Sequence, residues 1–206
     1  MIRVSGHAKL WVITDCTRHP EQRALVTEHI SGNESMDEHS GTGSREILQE
    51  VARIFDNTVP NLYRMLARSP VALEAFVRFE SILDRHGCLA RDEQAVVALE
   101  VAMRNRCDYC RGVMSREARE SGVTEDSIEA IIQGFEPANA RHRLLVETTR
   151  RIMNESGCLG SAEVAVLQER GVGLEELLEI VAIIAAFTLA TYANNLANTR
   201  IDPEYR

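Results

Sequence analysis

The sequence predicts an all-α fold, an orthogonal helical bundle, over residues 45–206. Apolar residues recur at helical spacing throughout this region, and no convincing strand alternation appears in it. Cap residues and glycines separate the apolar segments, as they do at helix ends. Aromatic residues make up only 5% of the chain, so small and aliphatic side chains fill the core, which suits close packing of helix on helix.

Three helices are predicted in the first part of this region. Ser44 is expected to cap the first of them, and Pro60 opens a short second one. Ser69 and Pro70 form a start signal, a cap followed by proline at the first helical position, for a third helix that ends at Gly87. The apolar stripe of the first helix comprises Ile47, Leu48, Val51, Ile54 and Phe55.

Six further helices follow from the same signals. Their predicted limits are Arg91 to Arg104, Cys107 to Gly122, Thr124 to Gly134, Asn139 to Glu155, Ser161 to Gly171, and Leu174 to Asn198. The uncharged run Ile180 to Ala193 is short for a bilayer span and favours a buried core helix. Because apolar residues cover nearly the whole circumference of this last helix, we expect a second subunit to bury part of it.

The first 44 residues differ from the rest. Lys9 to Thr14 is a short β-prone run, and Ser31 to Ser44 is rich in glycine, serine and acid, which is typical of a linker. We therefore expect a poorly ordered N-terminal extension over residues 1–44 and one helical domain over residues 45–206.

Charge and cysteine content indicate a cellular setting. The net charge of −8 argues against nucleic acid and against an anionic membrane surface as partners, since both bind basic faces. Residues 1–16 lack the apolar core of a signal peptide. The five cysteines are odd in number and are not spaced like those of a disulfide-stapled module, so we expect a reducing cytoplasm.

Cys107 and Cys110 form the only closely spaced cysteine pair. Three residues apart at a helix start, they share one face, and the partial positive charge of the helix N-terminus favours a thiolate. Three interpretations remain open for the pair. It is a redox-active dithiol, or half of a metal site completed by His86 and Cys88, or two small buried apolar residues.

The surrounding sequence resembles a known family. The segments GCLARDEQAVVALEVAMRNRCDYCRGVM and SREARESGVTEDSIEAI are similar to the core of the carboxymuconolactone decarboxylase-like, alkylhydroperoxidase D-like proteins. Asn105 before the pair and Tyr109 within it fit the family motif, and the resemblance extends over about Arg45 to Ile201. It implies an all-α subunit that assembles into homo-oligomers such as trimers or hexamers.

The resemblance also implies a peroxidase or disulfide reductase. Cys110 would attack a hydroperoxide substrate and Cys107 would resolve the product, with a lipoyl group or a thioredoxin-like protein as the dithiol reductant. The family's proton relay is missing, because Ala95 stands in place of its glutamate and Met114 in place of its histidine. Glu100 is the candidate replacement that we place in the catalytic site.

The predicted function is therefore a dithiol-dependent antioxidant oxidoreductase with no cofactor and no bound metal. His86 and His142 are further candidates for the missing relay, although a structural role suits both. The alternative is a non-enzymatic, redox-responsive scaffold that kept the fold and lost the relay.

Overall fold

The computed structural model describes residues 42–206, and within them the chain is all helical. This part contains nine α-helices, a short 3-10 helix (Pro203–Tyr205) and no strand. The predicted all-α class is confirmed. In chain order the helices are α1 (Thr42–Ile54), α2 (Asn61–Leu66), α3 (Pro70–His86), α4 (Arg91–Arg104), α5 (Asp108–Glu120), α6 (Glu125–Ile132), α7 (Ala140–Asn154), α8 (Ser161–Glu169) and α9 (Leu174–Ala197).

Side-chain caps fix several helix starts at the predicted positions, among them those of α3 and α7. At α3, the Ser69 hydroxyl accepts a hydrogen bond from the Ala72 N–H at 3.3 Å. At α7, the Asn139 side-chain oxygen accepts from the N–H groups of Arg141 and His142 at 2.9 and 3.0 Å. These bonds satisfy N–H groups that have no partner inside the helix, so the caps stabilise both starts.

The first helix departs from its prediction at both ends. α1 begins at Thr42, so Ser44 lies inside it and is buried instead of capping it. Ile54 was predicted on the apolar stripe but is 72% exposed, because it is the last residue of α1. Asp56 and Asn57 then adopt left-handed backbone angles that turn the chain away from the helix.

The remaining N-terminal predictions lie outside the described residues. They are the β-prone run Lys9 to Thr14, residues 31–41 of the linker, and Cys16. The division of the chain at residue 44 stays a prediction.

Helix α4 is the centre of the bundle. Every residue from Ala95 to Ala102 is buried, and α4 packs against α5, α6, α7 and α9. Its successive faces enter three apolar clusters, and Ala102 belongs to the cluster that also contains Cys107 and Cys110. Because neighbours hold α4 on all sides, its C-terminal end is a fixed support for the segment that follows.

The last helix buries one face and exposes the other. Ile180, Ile183 and Ala190 are almost fully buried, whereas Leu178 is 62% and Leu196 71% exposed. α9 is 24 residues long, longer than the uncharged run in the sequence, and is long and apolar enough to cross a membrane by length and composition alone. It packs against α3, α4 and α5 in the bundle, and 39% of its most apolar window is buried there.

Candidate functional site

A backbone reversal after α4 delivers the cysteine pair. Arg106 has a left-handed φ of 52°. Its N–H bonds to the Met103 carbonyl, and the Cys107 N–H bonds to the Ala102 carbonyl, both at 3.1 Å. This pair of bonds is a Schellman motif, which ends a helix and redirects the chain. The predicted break before Cys107 is therefore present, and it starts α5 directly after α4.

The two cysteines lie in direct contact at the start of α5. Cys107 is the N-cap, and its Sγ accepts the Cys110 N–H at 3.2 Å. The two thiols also hydrogen-bond to each other, and both are free and buried. Such a pair can store one negative charge between two sulfur atoms and can close to a disulfide.

The shared hydrogen bond separates the two thiols in acidity. It lowers the pKa of Cys107, and the N–H groups of Cys110 and Tyr109 lower it further against the opposing effect of burial. The same hydrogen bond, together with burial, raises the pKa of Cys110. Of the two thiols, Cys107 is therefore the more acidic and loses its proton first, whereas Cys110 keeps its proton.

An amide from α9 completes the environment of the sulfur atoms. The Asn194 side-chain amide donates to Cys110 Sγ at 3.3 Å, and its own oxygen is buried with no partner among the residues that the structure describes. The neighbouring Asn195 amide donates to the Asn105 carbonyl at 2.7 Å. Two adjacent asparagines are unusual in an apolar helix, and the sequence alone shows this. The contact between Asn194 and Cys110 joins residues 84 positions apart, so local sequence signals do not predict it.

Tyr109, between the cysteines, is tied to the C-terminal tail. Its hydroxyl donates to Asp202 Oδ2 at 2.6 Å and accepts the Leu62 N–H at 3.2 Å. Burial and Asp202 raise the pKa of Tyr109 well above its usual range, so it remains a neutral donor. Tyr205 follows on the tail, and a side chain at Gly112 would meet the Tyr205 carbonyl oxygen at 2.5 Å. Glycine is needed there for this close approach.

Cys110 lines a cavity of about 470 Å³. Cys107 is not among the described residues that line it, so of the two cysteines of the pair only Cys110 faces the cavity. Much of the wall is apolar and includes Leu62, Phe76, Val113, Met114 and Phe187. The size suits a small molecule more than a macromolecule.

The same cavity contains ionisable groups that the sequence did not single out. Glu80 of α3 lines it, and Glu80 Oε2 accepts a hydrogen bond from the Tyr63 hydroxyl at 2.8 Å. Burial raises the pKa of Glu80 to about 7. Glu117 of α5 also lines the cavity, and burial followed by repulsion from Glu120 raises its pKa. Glutamate on amphipathic helices is common, so no sequence signal distinguishes these two.

The two positions at which the family resemblance predicts a proton relay line this cavity. They are Ala95 and Met114, and neither side chain can transfer a proton.

Glu100, the predicted replacement for the proton relay, lies outside this cavity. It is 2% exposed and makes a bidentate ion pair with Arg150, at 2.8 and 3.0 Å, and it does not line the cavity. This arrangement favours a structural role for Glu100, and its assignment to the catalytic site stays an untested prediction.

The two histidines also lie away from the sulfur atoms. His142 Nε2 is 3.0 Å from Asp92 Oδ2, and His86 is exposed at the end of α3. Within residues 42–206 no group of three or more His, Cys, Asp or Glu side chains is arranged to hold a metal ion. In this part of the chain, His86 and Cys88 do not complete a site with the cysteine pair.

The fold is that of the alkylhydroperoxidase D-like proteins. The structure is similar to the crystal structure of the alkylhydroperoxidase AhpD core, an uncharacterized peroxidase-related protein from Ralstonia eutropha JMP134. That match has a TM-score of 0.73 and 20% identity, and covers 84% of this chain and 91% of that one. An uncharacterized peroxidase-related protein from Silicibacter sp. TM1040 matches with a TM-score of 0.70 and 19% identity, over 84% and 92% of the two chains.

The sequence match is shorter than the structural one. Residues 70–143, which include the cysteine pair, match the model of the carboxymuconolactone decarboxylase family. No curated protein matches the chain significantly. The resemblance read from the sequence is thereby confirmed, and the fold is confirmed as the alkylhydroperoxidase D-like bundle.

Proposed function

We propose that this protein is a dithiol-dependent antioxidant oxidoreductase that reduces hydroperoxides by cycling Cys107 and Cys110 between dithiol and disulfide. One observation carries the proposal: a buried, hydrogen-bonded cysteine pair at a helix N-terminus meets a cavity of about 470 Å³ through Cys110. If the two cysteines were only small apolar core residues, neither the N-cap position of Cys107 nor the contact of Cys110 with the cavity would be needed.

The chemistry begins with a proton transfer between the thiols. Once ionised, Cys107 takes the proton of Cys110, and the Cys110 thiolate attacks the outer oxygen of the hydroperoxide, R–O–O–H. The S–O bond forms as the O–O bond breaks, which gives Cys110 sulfenic acid and an alkoxide that must gain a proton. Cys107 then attacks Cys110, forms the disulfide and releases water.

This assignment keeps Cys110 as the attacking residue although Cys107 is the more acidic thiol. Access favours Cys110, since it lines the cavity and Cys107 does not. Cys107 then serves twice, first as the base for Cys110 and later as the resolving thiol. The amide of Asn194 stabilises the Cys110 thiolate once it forms.

The disulfide must be reduced by a second dithiol. Both cysteines are buried, so a slender reductant that enters the cavity, such as a lipoyl group, suits the site better than the surface of a folded thioredoxin-like protein. We keep both as proposed partners, and we keep the cytoplasm as the proposed compartment.

We also propose a homo-oligomer, a trimer or hexamer, assembled through α9. Its exposed apolar side chains recur at spacings of three and four residues, which places them along one stripe of the helix. These residues are Leu174, Leu178, Val181 and Ala185. Size-exclusion chromatography with light scattering tests this: Val181→Glu is expected to lower the measured mass, and an unchanged mass would contradict assembly through this stripe.

The redox function is tested by peroxide consumption with dithiothreitol as reductant. The wild type and Cys158→Ser, which changes an exposed cysteine, are expected to turn over tert-butyl hydroperoxide equally. Cys110→Ser is expected to lose turnover. Cys107→Ser removes both the base and the resolving thiol, so it should also lose turnover and should form only slowly a sulfenic acid on Cys110, which dimedone labels and mass spectrometry locates. Equal turnover by Cys110→Ser and the wild type would refute catalysis at this thiol.

The same samples separate the enzyme from the scaffold alternative. If peroxide closes the Cys107–Cys110 disulfide but no turnover follows with any dithiol, the protein is a redox-responsive scaffold. Chromatography of oxidised and reduced forms would then show a change of assembly.

A further inference from the structure

We propose that Glu80, held by Tyr63, is the proton donor that replaces the missing relay in this protein. The inference rests on the proposed peroxidase function and names the group that protonates the leaving oxygen. Glu80 and Tyr63 belong to α3 and α2, outside the segment that carries the family's relay.

The geometry that carries the inference is one shared cavity. Glu80, Tyr63 and Cys110 all line it, as do the two replaced relay positions, Ala95 and Met114. Glu100, by contrast, is neutralised by Arg150 and does not line this cavity. The chain therefore presents a protonatable carboxyl to the space beside the attacking sulfur, from a different direction.

The contacts of Glu80 suit a group that gives up a proton. Its hydrogen bond comes from the neutral Tyr63 hydroxyl, and within residues 42–206 it forms no ion pair with a cation. Burial raises the pKa of Glu80 to about 7. A general acid works best when its pKa lies near the working pH, because it is then both protonated and able to release the proton.

Charged and titratable groups of the neighbouring helices also face this space. Glu117 from α5 adds repulsion that keeps the proton on Glu80, while the Tyr63 hydroxyl stabilises the carboxylate that remains. The other such groups that line the cavity are Asp84, Arg91, Tyr109, Glu120 and Tyr205. Arg91 is the only cation among the described lining residues, and it pairs with Asp84.

The proton balance of the step is complete. The Cys110 thiolate takes the outer oxygen with its hydrogen as sulfenic acid, and the electrons of the O–O bond leave on the alkoxide. Glu80 gives its proton to that alkoxide, which departs as the alcohol, and the Tyr63 hydroxyl bonds to the carboxylate. Solvent protonates Glu80 before the next turnover.

The experiment compares two reactions of the same thiols. Peroxide cleavage needs a proton on the leaving oxygen, whereas attack on 4,4′-dithiodipyridine, a neutral disulfide, releases a leaving group that needs no proton from the protein. The full chain is used with Cys16→Ser, Cys88→Ser and Cys158→Ser, so that only the pair reacts. Both rates are measured in single turnover at pH 7.

Glu80→Gln keeps the shape of the side chain and removes the acidic proton. It is expected to slow the tert-butyl hydroperoxide reaction about 100-fold, the low end for general acid catalysis, and to leave the dithiodipyridine rate within about twofold. The matched control is Glu74→Gln on the exposed face of the same helix, which is expected to change neither rate.

The pH profile gives a readout that a structural role would not produce. The ratio of the peroxide rate to the dithiodipyridine rate cancels thiol ionisation, and in the wild type it should fall as pH rises through about 7, as Glu80 loses its proton. In Glu80→Gln the ratio should be flat. Tyr63→Phe removes a hydrogen bond that lowers the pKa of Glu80, so the fall should move to higher pH.

The outcomes separate this inference from the proposed function. If the parent protein reacts with dithiodipyridine but not with peroxide, the peroxidase function itself is wrong. If it reacts with peroxide and Glu80→Gln matches it in rate and pH profile, the function stands and Glu80 is not the donor. If both rates fall together in Glu80→Gln, the effect is on folding or thiol reactivity, and the inference is again overturned.

Discussion

Two glutamates in this bundle, Glu100 and Glu80, have opposite surroundings. Glu100 on α4 is 2% exposed and bonded through both oxygens to the Arg150 guanidinium. Glu80 on α3 lies partly buried in a cavity wall, and its hydrogen bond comes from the neutral Tyr63 hydroxyl. A charge bound to a cation is fixed in place, whereas a carboxyl without one can exchange its proton.

The surroundings of the two glutamates indicate which of them can take part in proton transfer. Glu100 links α4 to α7 and so contributes to the architecture around the cysteine pair. Glu80 shares a cavity with Cys110 and is ready to titrate near neutral pH. Glu100 was predicted to be the proton-transfer group because it lies close to the Cys-x-x-Cys motif in the sequence. The surroundings of the two side chains in the structure favour Glu80 for that role.

Breaking the ion pair between Glu100 and Arg150 is expected to cause the largest loss of stability. Arg150→Met would leave the buried Glu100 carboxylate without its cation, and we expect the free energy of unfolding to fall by about 3–5 kcal/mol in urea denaturation. The double variant Glu100→Gln/Arg150→Met removes both charges and is expected to recover most of the loss. A loss below about 1 kcal/mol in the single variant would show that solvent already screens this pair.

The second effect is a pH dependence of stability that belongs to Glu80. Its pKa is raised from 4.5 to about 7, so the folded state holds the proton more tightly than the unfolded state. The resulting stabilisation is complete below about pH 4.5 and is lost as pH rises through about 7. The expected size is about 1–3 kcal/mol.

Denaturant titrations at pH 5 and pH 8 measure this effect. Relative to Glu80→Gln, the wild type should lose stability between the two values, and Glu74→Gln should follow the wild type. Parallel behaviour of the wild type and Glu80→Gln would contradict a raised pKa at this position.

The smallest effect concerns a third carboxylate, Glu179, which is bound by neutral donors. It accepts hydrogen bonds from the Cys88 and Leu89 N–H groups at 2.5 and 3.2 Å, and from the Gln94 side-chain amide at 2.9 Å. Glu179→Gln would turn an amide donor toward these donors, and we expect a loss of about 1–2 kcal/mol by thermal unfolding. An unchanged stability would mean that the glutamine re-forms all three bonds.

Much of the fold could be predicted from local signals. Caps such as Ser69 and Asn139 act within a few residues, so their effect can be read directly from the sequence. The break before Cys107 was predicted as well, and the pair was found because spacing alone brings its members together. Ser44 was misplaced because a serine followed by an apolar stripe does not show how far upstream the helix extends.

The surroundings of the sulfur atoms were less predictable. Asn194 reaches Cys110 across 84 residues, and Arg150 reaches Glu100 across 50. Helical spacing places a side chain on a face of its own helix, but it does not say which neighbouring helix that face meets.

The helical class, most helix limits and the location of the dithiol could be predicted from the amino-acid sequence, since they depend on neighbouring residues along the chain. Which carboxyl is bound to a cation and which faces the cavity beside Cys110 depends on the packing of the helices. Acidity and access depend on groups gathered through space, and packing brings together α2, α3, α5 and α9 from distant parts of the chain.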